Sequence, residues 1–575
     1  MIKVHSKKYQ LHFIKILLCI SILLIVNLYR LPHMNALRNG YDDFGYLSIA
    51  GFFSSAYDWS GLMSHSAYYS WGYPLVISWL TSICSSSSLL IKVIIVTNTS
   101  FLVISFVVSN RLIRSIHAEI DEDSALCVAL LANLYIGNVI YAKYAFAESL
   151  VVLLFSLIVY VVYSICSTSA SHFAYIILSV CTAFIFFVHQ RTIGVVLAVC
   201  LTIIVLYTQR KISTVDTIIF YLIIVLMFLI GNEIKASVKS SIFASSVNGM
   251  ASANDFSTQL GVLTSIRSIK YVQYLIVGFI GRLFYFGLAT FSVGFIGLIS
   301  SIRKATQIFH KQERAIGCFY CFIALSFFST IGIVSLFFLE PVRYDMPFYG
   351  RYIEYLFPFF IIEGITVILK KRLPLKDLIN MLSLSCVSCI SVFLLCKEKN
   401  LQPTYSDMIP AMFNINWYCI SNNLDYHHAL KLSFYILFSA SIMMYVISKL
   451  SKTQLKTAIA FLLILLFWLP SYIQLENRCI DAHVGNVGKY YDISTSIANI
   501  DNLTCILSDS LTMQDVNKIQ FMCRDTAMSL SEIELVSETH PASVLTDLYT
   551  NLNPYGYTAV YKNDYAKIWK KEYEN

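Results

Sequence analysis

The run LHFIKILLCISILLIVNLY, residues 11 to 29, decides the fold class of this chain. Apart from His12 and Lys15 near its start it is apolar, and its length matches the hydrocarbon thickness of a bilayer. It follows a leader carrying Lys3, Lys7 and Lys8, and no small-residue cleavage site comes after it, so it reads as a span and not as a cleaved signal. The excess of basic residues places the leader in the cytoplasm. The next polar stretch, Tyr41-Asp42-Asp43-Phe44-Gly45-Tyr46, then emerges in the first loop on the far side of the membrane.

Composition extends this reading to the whole chain. Of 575 residues 57% are hydrophobic and only 13% charged, and the mean hydropathy is +0.66, which excludes a soluble globule. The net charge of +8 is unevenly spread. Residues 476 to 575 carry 14 acidic and 8 basic side chains, whereas the first 475 carry 20 acidic and 34 basic. The basic excess clusters at Arg111/Arg114, Arg210/Lys211, Arg303/Lys304/Lys311/Arg314, Lys370/Lys371/Arg372 and Lys449/Lys452/Lys456. Each cluster closes alternate apolar runs, the charge bias of membrane topology and not a nucleic-acid patch.

About thirteen spans are expected: 11–29, 87–110, 124–141, 149–166, 173–188, 192–208, 215–231, 284–302, 315–338, 353–369, 378–396, 429–448 and 457–474. The expected fold class is therefore an all-α polytopic membrane protein, with residues 1–474 as the membrane domain and 475–575 as a small α/β domain outside. β-like runs are expected at 504–507, 519–523 and 557–561. An odd number of spans puts the N-terminus in the cytoplasm and the C-terminal domain outside it, in a membrane expected to be the bacterial inner membrane.

The first outer loop, 30–86, holds the Asp pair, Asp58, His65 and the amphipathic piece Trp71 to Trp79, expected at the interface. Loop 232–270 holds Asn248-Gly249 and Asn254-Asp255, a compact loop holds Arg343-Tyr-Asp345 and Arg351-Tyr352, and loop 397–428 holds Asp407, Asp425, His427 and His428.

A carboxylate in such a loop can take a proton from an acceptor hydroxyl while a leaving group departs from a sugar carbon; Asp42 and Asp43 are the candidates. Glu148 opens the fourth span, where the helix dipole also favours an acid. Arg191 and Arg351 stand at outer boundaries against the topological charge bias and can bind a phosphate through paired N–H donors. Lys143, Arg282 and Tyr285 are further candidates for the same cavity. The Cys318/Cys321 pair lies inside a span, and adjacent His427 and His428 point about 100° apart on a helix, so neither favours a metal. A divalent metal elsewhere is left open, as is a disulfide among Cys419, Cys479, Cys505 and Cys523.

In order, these features resemble the GT-C superfamily of membrane glycosyltransferases, in the branch of protein O-mannosyltransferases and the aminoarabinose transferase of lipid A. Asp42-Asp43 with Tyr46 stands where that branch has an acidic pair followed by Tyr, with Asp in place of the usual Glu. Gly72-Tyr73-Pro74-Leu75 looks like its YPPL element with one Pro missing. Lys143 to Glu148 looks like its R-x-x-x-T-[ED] stretch with Lys for Arg and Ala147 for Thr, and Arg351-Tyr352 with Pro358 looks like its late RY…P. The resemblance implies transfer of a sugar, with inversion, from a polyprenyl-phosphate donor to a lipid-linked glycan, lipid A or protein on the outer face. It implies Asp42 as base, supported by Asp43 and Glu148, with Arg191, Arg351 and Lys143 on the donor phosphate and Tyr46 and Tyr73 in the substrate loop. The lipid bilayer is an implied partner; nucleic acid is not. A polysaccharide polymerase or ligase would carry its large outer loop late, and a lipid or glycan flippase would line its spans with charge, so both are alternatives to be weighed.

Overall fold

A computed structural model describes residues 2–63, 66–167, 171–243, 261, 268–309 and 314–571. His65, Asn248, Gly249, Asn254, Asp255 and Lys311 lie outside the described residues. The first half of the chain forms helices α1 (Ile2–Leu28), α2 (Asp42–Ser54), α3 (Ser60–Met63), α4 (Gly72–Ile83), α5 (Ser87–Ile116), α6 (Glu122–Asn133), α7 (Ile136–Tyr141), α8 (Glu148–Ser167), α9 (His172–Val188), α10 (Ile193–Thr208) and α11 (Thr214–Ile242). The second half forms α12 (Ile269–Ala289), α13 (Val293–Ala305), α14 (Arg314–Phe337), α15 (Phe357–Lys370), α16 (Leu375–Lys399), α17 (Phe413–Ser421), α18 (Tyr426–Lys449) and α19 (Thr453–Ile497).

Among the described residues ten helices are long and apolar enough to cross a membrane, and the 17-residue α9 is a shorter apolar helix beside them. The chain is a multi-pass membrane protein. Three expected spans take a different form. Residues 124–141 break between α6 and α7 at Leu134-Tyr135. Residues 284–302 break at Phe291 and Ser292, both in the left-handed region (φ 49° and 65°), so the long helix is α12, which begins at Ile269. Residues 353–369 become the 14-residue α15, whose residues are nearly all buried among other helices, not facing lipid.

α15 sits at the centre because two glycines let α13 approach it. A Cβ on Gly297 would run into the Phe360 carbonyl, and one on Gly364 into the Val293 carbonyl; such close backbone contact is the usual reason for small residues between membrane helices. α4 buries Tyr73, Ile77 and Leu80 and exposes Leu75, Trp79 and Ile83, the two faces of an amphipathic helix.

α19 runs unbroken through Pro470 to Ile497, so the change of composition near 475 falls inside one helix. Beyond it β1 (Asn502–Cys505), β2 (Ala527–Leu530), β3 (Ser543–Asp547), β4 (Tyr557–Lys562) and β5 (Ala566–Lys571) form one sheet in the order β2-β1-β3-β5-β4. β1 is parallel to β2 and β3; β3, β5 and β4 are antiparallel. α20 (Met513–Met522) and α21 (Ile533–Thr539) make the crossovers. The expected strand 519–523 falls mostly in α20, because Thr512 and Asp515 form a reciprocal capping box that starts a helix. This C-terminal part clamps loop 30–86: Asn517 Nδ2 donates to the Gly40 carbonyl at 2.7 Å, Arg524 to the Cys84 carbonyl at 2.7 Å, and Trp59 Nε1 to the Arg524 carbonyl at 3.1 Å. All fifteen cysteines are free, including Cys419, Cys479, Cys505 and Cys523, so the contemplated disulfide is absent.

Replacing Gly364 by Leu forces α13 from α15 and costs about 1–3 kcal/mol. Thermal unfolding in detergent checks this against Gly332→Ala, where the new methyl meets open space and the midpoint holds or rises.

Candidate active site

Asn39 starts the construction. Its side-chain oxygen accepts from the backbone N–H of Tyr41 (2.9 Å) and Asp42 (3.2 Å), a local turn that launches α2 with two acids in its first turn. The two acids then part. Asp43 points inward and is fully buried: Oδ2 accepts from Asn39 N–H at 2.9 Å and Oδ1 from Ala145 N–H at 2.8 Å. It ties the first outer loop to the segment ahead of α8. Asp42 faces outward, with 26% of its side chain exposed; it accepts from the Tyr69 hydroxyl at 3.1 Å and pairs with Arg351.

Arg351 is the centre of the cluster. Its Nη1 bonds Asp42 and its Nε bonds Glu148, the first residue of α8, while the guanidinium stacks 3.8 Å from the Phe146 ring centroid. Burial weakens its hold on the proton, but Glu148 and then Asp42 more than restore it, keeping the guanidinium well above the ordinary arginine value. The backbone is fixed as well, since Gly350 and Arg351 N–H both donate to the Met408 carbonyl at 3.1 and 3.2 Å. Glu148 Oε2 is buried with no hydrogen-bond partner among the described residues.

Two cavities meet at Asp42. The inner is a cleft of about 40 Å³ lined by Tyr46, Tyr69, His189, Arg191, Arg351 and Tyr352. Arg191 lies over the Tyr352 ring at 3.8 Å and the Phe337 ring at 5.1 Å, and among the described residues it pairs with no carboxylate. Burial, then Arg191 and Arg351, push His189 well below the usual imidazole value, so it stays neutral. The outer cavity, about 550 Å³, is walled by Arg38, Arg343, Asp345, Tyr349, Tyr405 and Arg478. Its far wall is pinned by Asp407, which receives Arg38 at 2.7 Å and the Tyr144 hydroxyl at 2.6 Å. Asp407 and the Arg343-Tyr-Asp345 turn stand in the sequence as polar loops without a role; only folding brings them beside Asp42.

Of the residues singled out by sequence, Asp42, Glu148, Arg191, Arg351 and Tyr46 come together. Four do not. Lys143 is fully buried and its ammonium is committed to Glu476 of α19, so as folded it is not free to hold a phosphate. Tyr73 is buried and its hydroxyl donates to Asn98 at 3.1 Å, leaving its ring edge against Tyr46. Arg282 spends its guanidinium on the Gly278 and Met346 carbonyls (2.8 and 3.0 Å) and on Ser335, and Tyr285 bonds Glu354. His428 bonds Asp425, its own helix cap, at 2.8 Å. Among the described residues no three His, Cys, Asp or Glu side chains gather, and Asp42 and Glu148 share the single cation of Arg351.

In sequence alone the chain matches no family model and no curated protein. Its backbone does match solved structures. ArnT from Cupriavidus metallidurans in the apo state superposes with a TM-score of 0.51 over 96% of this chain and 97% of that one, at 12% identity. The chain shares the fold of that ArnT. ArnT from the same organism bound to undecaprenyl phosphate gives 0.49 at 12% identity over 96% and 97% of the two chains. The Archaeoglobus fulgidus oligosaccharyltransferase tethered to an acceptor peptide gives 0.44 at 11%, over 93% of this chain and 69% of that one. In this fold the arginine cluster lies where loop 30–86, the start of α8 and the segment ahead of α15 converge.

Two outcomes are expected. Arg351→Met leaves Asp42 and Glu148 facing each other uncompensated and destabilises by about 3–5 kcal/mol; adding Glu148→Gln recovers part of it, read by thermal unfolding as a double-mutant cycle. For Asp43, burial pushes the carboxyl up to about 7, outweighing its two N–H bonds. The folded chain then holds a proton that the unfolded chain has released above about pH 4. Its contribution to stability is full below that value and falls as pH rises to 7. The wild-type midpoint should drop more steeply from pH 5 to 7 than that of Asp43→Asn.

Proposed function

We propose that the protein is a glycosyltransferase that moves a sugar from a polyprenyl-phosphate donor to a hydroxyl acceptor on the non-cytoplasmic face, with inversion at the anomeric carbon. The observation that carries this reading is the position of Asp42, a carboxylate at the junction of two cavities, one with an uncommitted arginine and the other walled by aromatic and charged side chains. The donor class follows the sequence resemblance, and the GT-C fold agrees with it.

In this reading the donor phosphate lies in the inner cleft against Arg191, with Arg351 behind it. The acceptor enters by the outer cavity, as a lipid-linked glycan, lipid A or a protein. Asp42 takes the hydroxyl proton as the oxygen attacks the anomeric carbon, and the C–O bond to phosphate breaks. The departing phosphate keeps the electron pair, and its growing charge is met by the guanidinium of Arg191. Glu148 acts through Arg351: it shares that cation with Asp42, so the charge of Arg351 is divided between two carboxylates. The arginine cluster favours this over a flippase, because its charges gather at one end of the bundle and do not form a path through it.

Asp42→Asn keeps the size of the side chain and removes the base. Turnover should fall by about 10²–10⁴-fold, while binding of the polyprenyl-phosphate sugar is retained. The assay is incubation with several such donors, read by the mass shift of candidate acceptors. Full turnover by Asp42→Asn contradicts the assignment, and transport of the lipid without transfer supports the flippase.

A further inference from the structure

A second charged cavity lies at the other end of α15. The helix has Arg351 and Glu354 ahead of its N-terminus and Lys370 at its C-terminus, and its 14 residues put the two ends about 20 Å apart. Around Lys370 the structure forms a cavity of about 360 Å³, walled by the end of α13, the end of α15 and the turn leading into α16. Five cations line it: Arg303, Lys304, Lys370, Lys371 and Arg372, with neutral-capable His117.

Three acids answer these cations, and their pairings leave two cations over. Asp377 is gripped by Arg303 through both nitrogens. Glu363, 1% exposed, receives Lys304, the Tyr320 hydroxyl at 2.9 Å, the Ser300 hydroxyl at 2.7 Å and His117 Nε2 at 3.1 Å. Glu119 pairs with Lys370, which also meets His117 Nδ1 at 2.6 Å. Lys371 and Arg372 have no carboxylate among the described residues. They project from a turn whose backbone is fixed: Leu373 N–H donates to Ser448 at 3.1 Å, and its carbonyl receives Lys449 at 2.6 Å.

The topological charge bias explains why cations gather at this end of the bundle. It does not explain a walled cavity. Lysines that only snorkel to headgroups stay extended and exposed, whereas Lys304 and Lys370 are 28% and 19% exposed, Lys304 held by the buried Glu363 and Lys370 by Glu119 at the surface and by His117. That network spends the cations of the wall and leaves those of the rim free, an arrangement suited to an anion with several oxygens.

We propose that this cavity binds a phosphate ester, held at the rim by Lys371 and Arg372 with Gln307 and Ser300 on the wall. Arg372 offers paired N–H donors and Lys371 a point charge, the two usual ways of holding phosphate. The phosphate comes either from a soluble molecule or from the headgroup of an anionic lipid in the adjoining leaflet. The site is distinct from the Asp42 cluster and stands whether or not the transferase reading does.

The test uses the full purified chain and the double variant Lys371→Gln/Arg372→Gln, whose exposed side chains can change without breaking an ion pair. In one arm the thermal midpoint is followed against inorganic phosphate, with chloride at equal ionic strength as reference. In the other, nanodiscs of mixed phosphatidylglycerol and phosphatidylcholine are analysed by native mass spectrometry for retained lipid. A saturable rise with phosphate identifies a soluble source and selective retention of phosphatidylglycerol a lipid source; in either case the double variant binds at least about tenfold more weakly, having lost two charge-assisted hydrogen bonds. The proposal is overturned if neither arm departs from its reference, or if the double variant binds as the wild type does.

Discussion

A guanidinium removed from water is costly unless anions accompany it, and Arg351 is buried with two, from parts of the chain 309 and 203 residues away. That shared cation is the constraint on which the outer half of the molecule rests. It holds α2 against the start of α8, and Asp43 repeats the link one residue further on through the Ala145 N–H. Because Arg351 is also stacked on Phe146 and tethered to Met408, three loops meet at one side chain. Breaking the cluster therefore loosens loops as well as removing charge.

The C-terminal domain belongs to the same construction. Its α20 and the turn after it supply the donors and acceptors that hold Gly40, Trp59 and Cys84. The loop bearing Asp42 is thus pinned between the membrane bundle on one side and a folded sheet on the other. A carboxylate positioned by rigid neighbours on both sides is what a reaction needing a near-attack geometry demands, and the outer cavity opens between these two supports.

Much of this was legible in the residues. The long apolar runs correspond to helices, since length and hydropathy report directly on spanning. Asp42, Glu148, Arg191 and Arg351 stood out because charge is scarce in this chain. What was not legible depends on partners far off. Lys143 looks like a ligand for phosphate until Glu476, 333 residues away, is seen to neutralise it. Asp42 and Asp43 look equivalent until the Asn39 turn sends one outward and one into the core. The break at Phe291-Ser292 has no glycine or proline within it to announce it. Residues 519–523 are β-like in composition, yet the capping box of Thr512 and Asp515 makes them helical up to Met522. Arg38, Arg343, Asp345 and Asp407 could not be grouped without the fold.

The most direct test of the account is a cryo-electron microscopy structure of the Asp42→Asn protein in nanodiscs with a polyprenyl-phosphate sugar. The account predicts phosphate density within hydrogen-bonding reach of Arg191, with the sugar carbon facing residue 42 and the chain of the lipid leaving between the helices. Phosphate bound away from Arg191 and Arg351, with the cleft beside residue 42 empty, would contradict it.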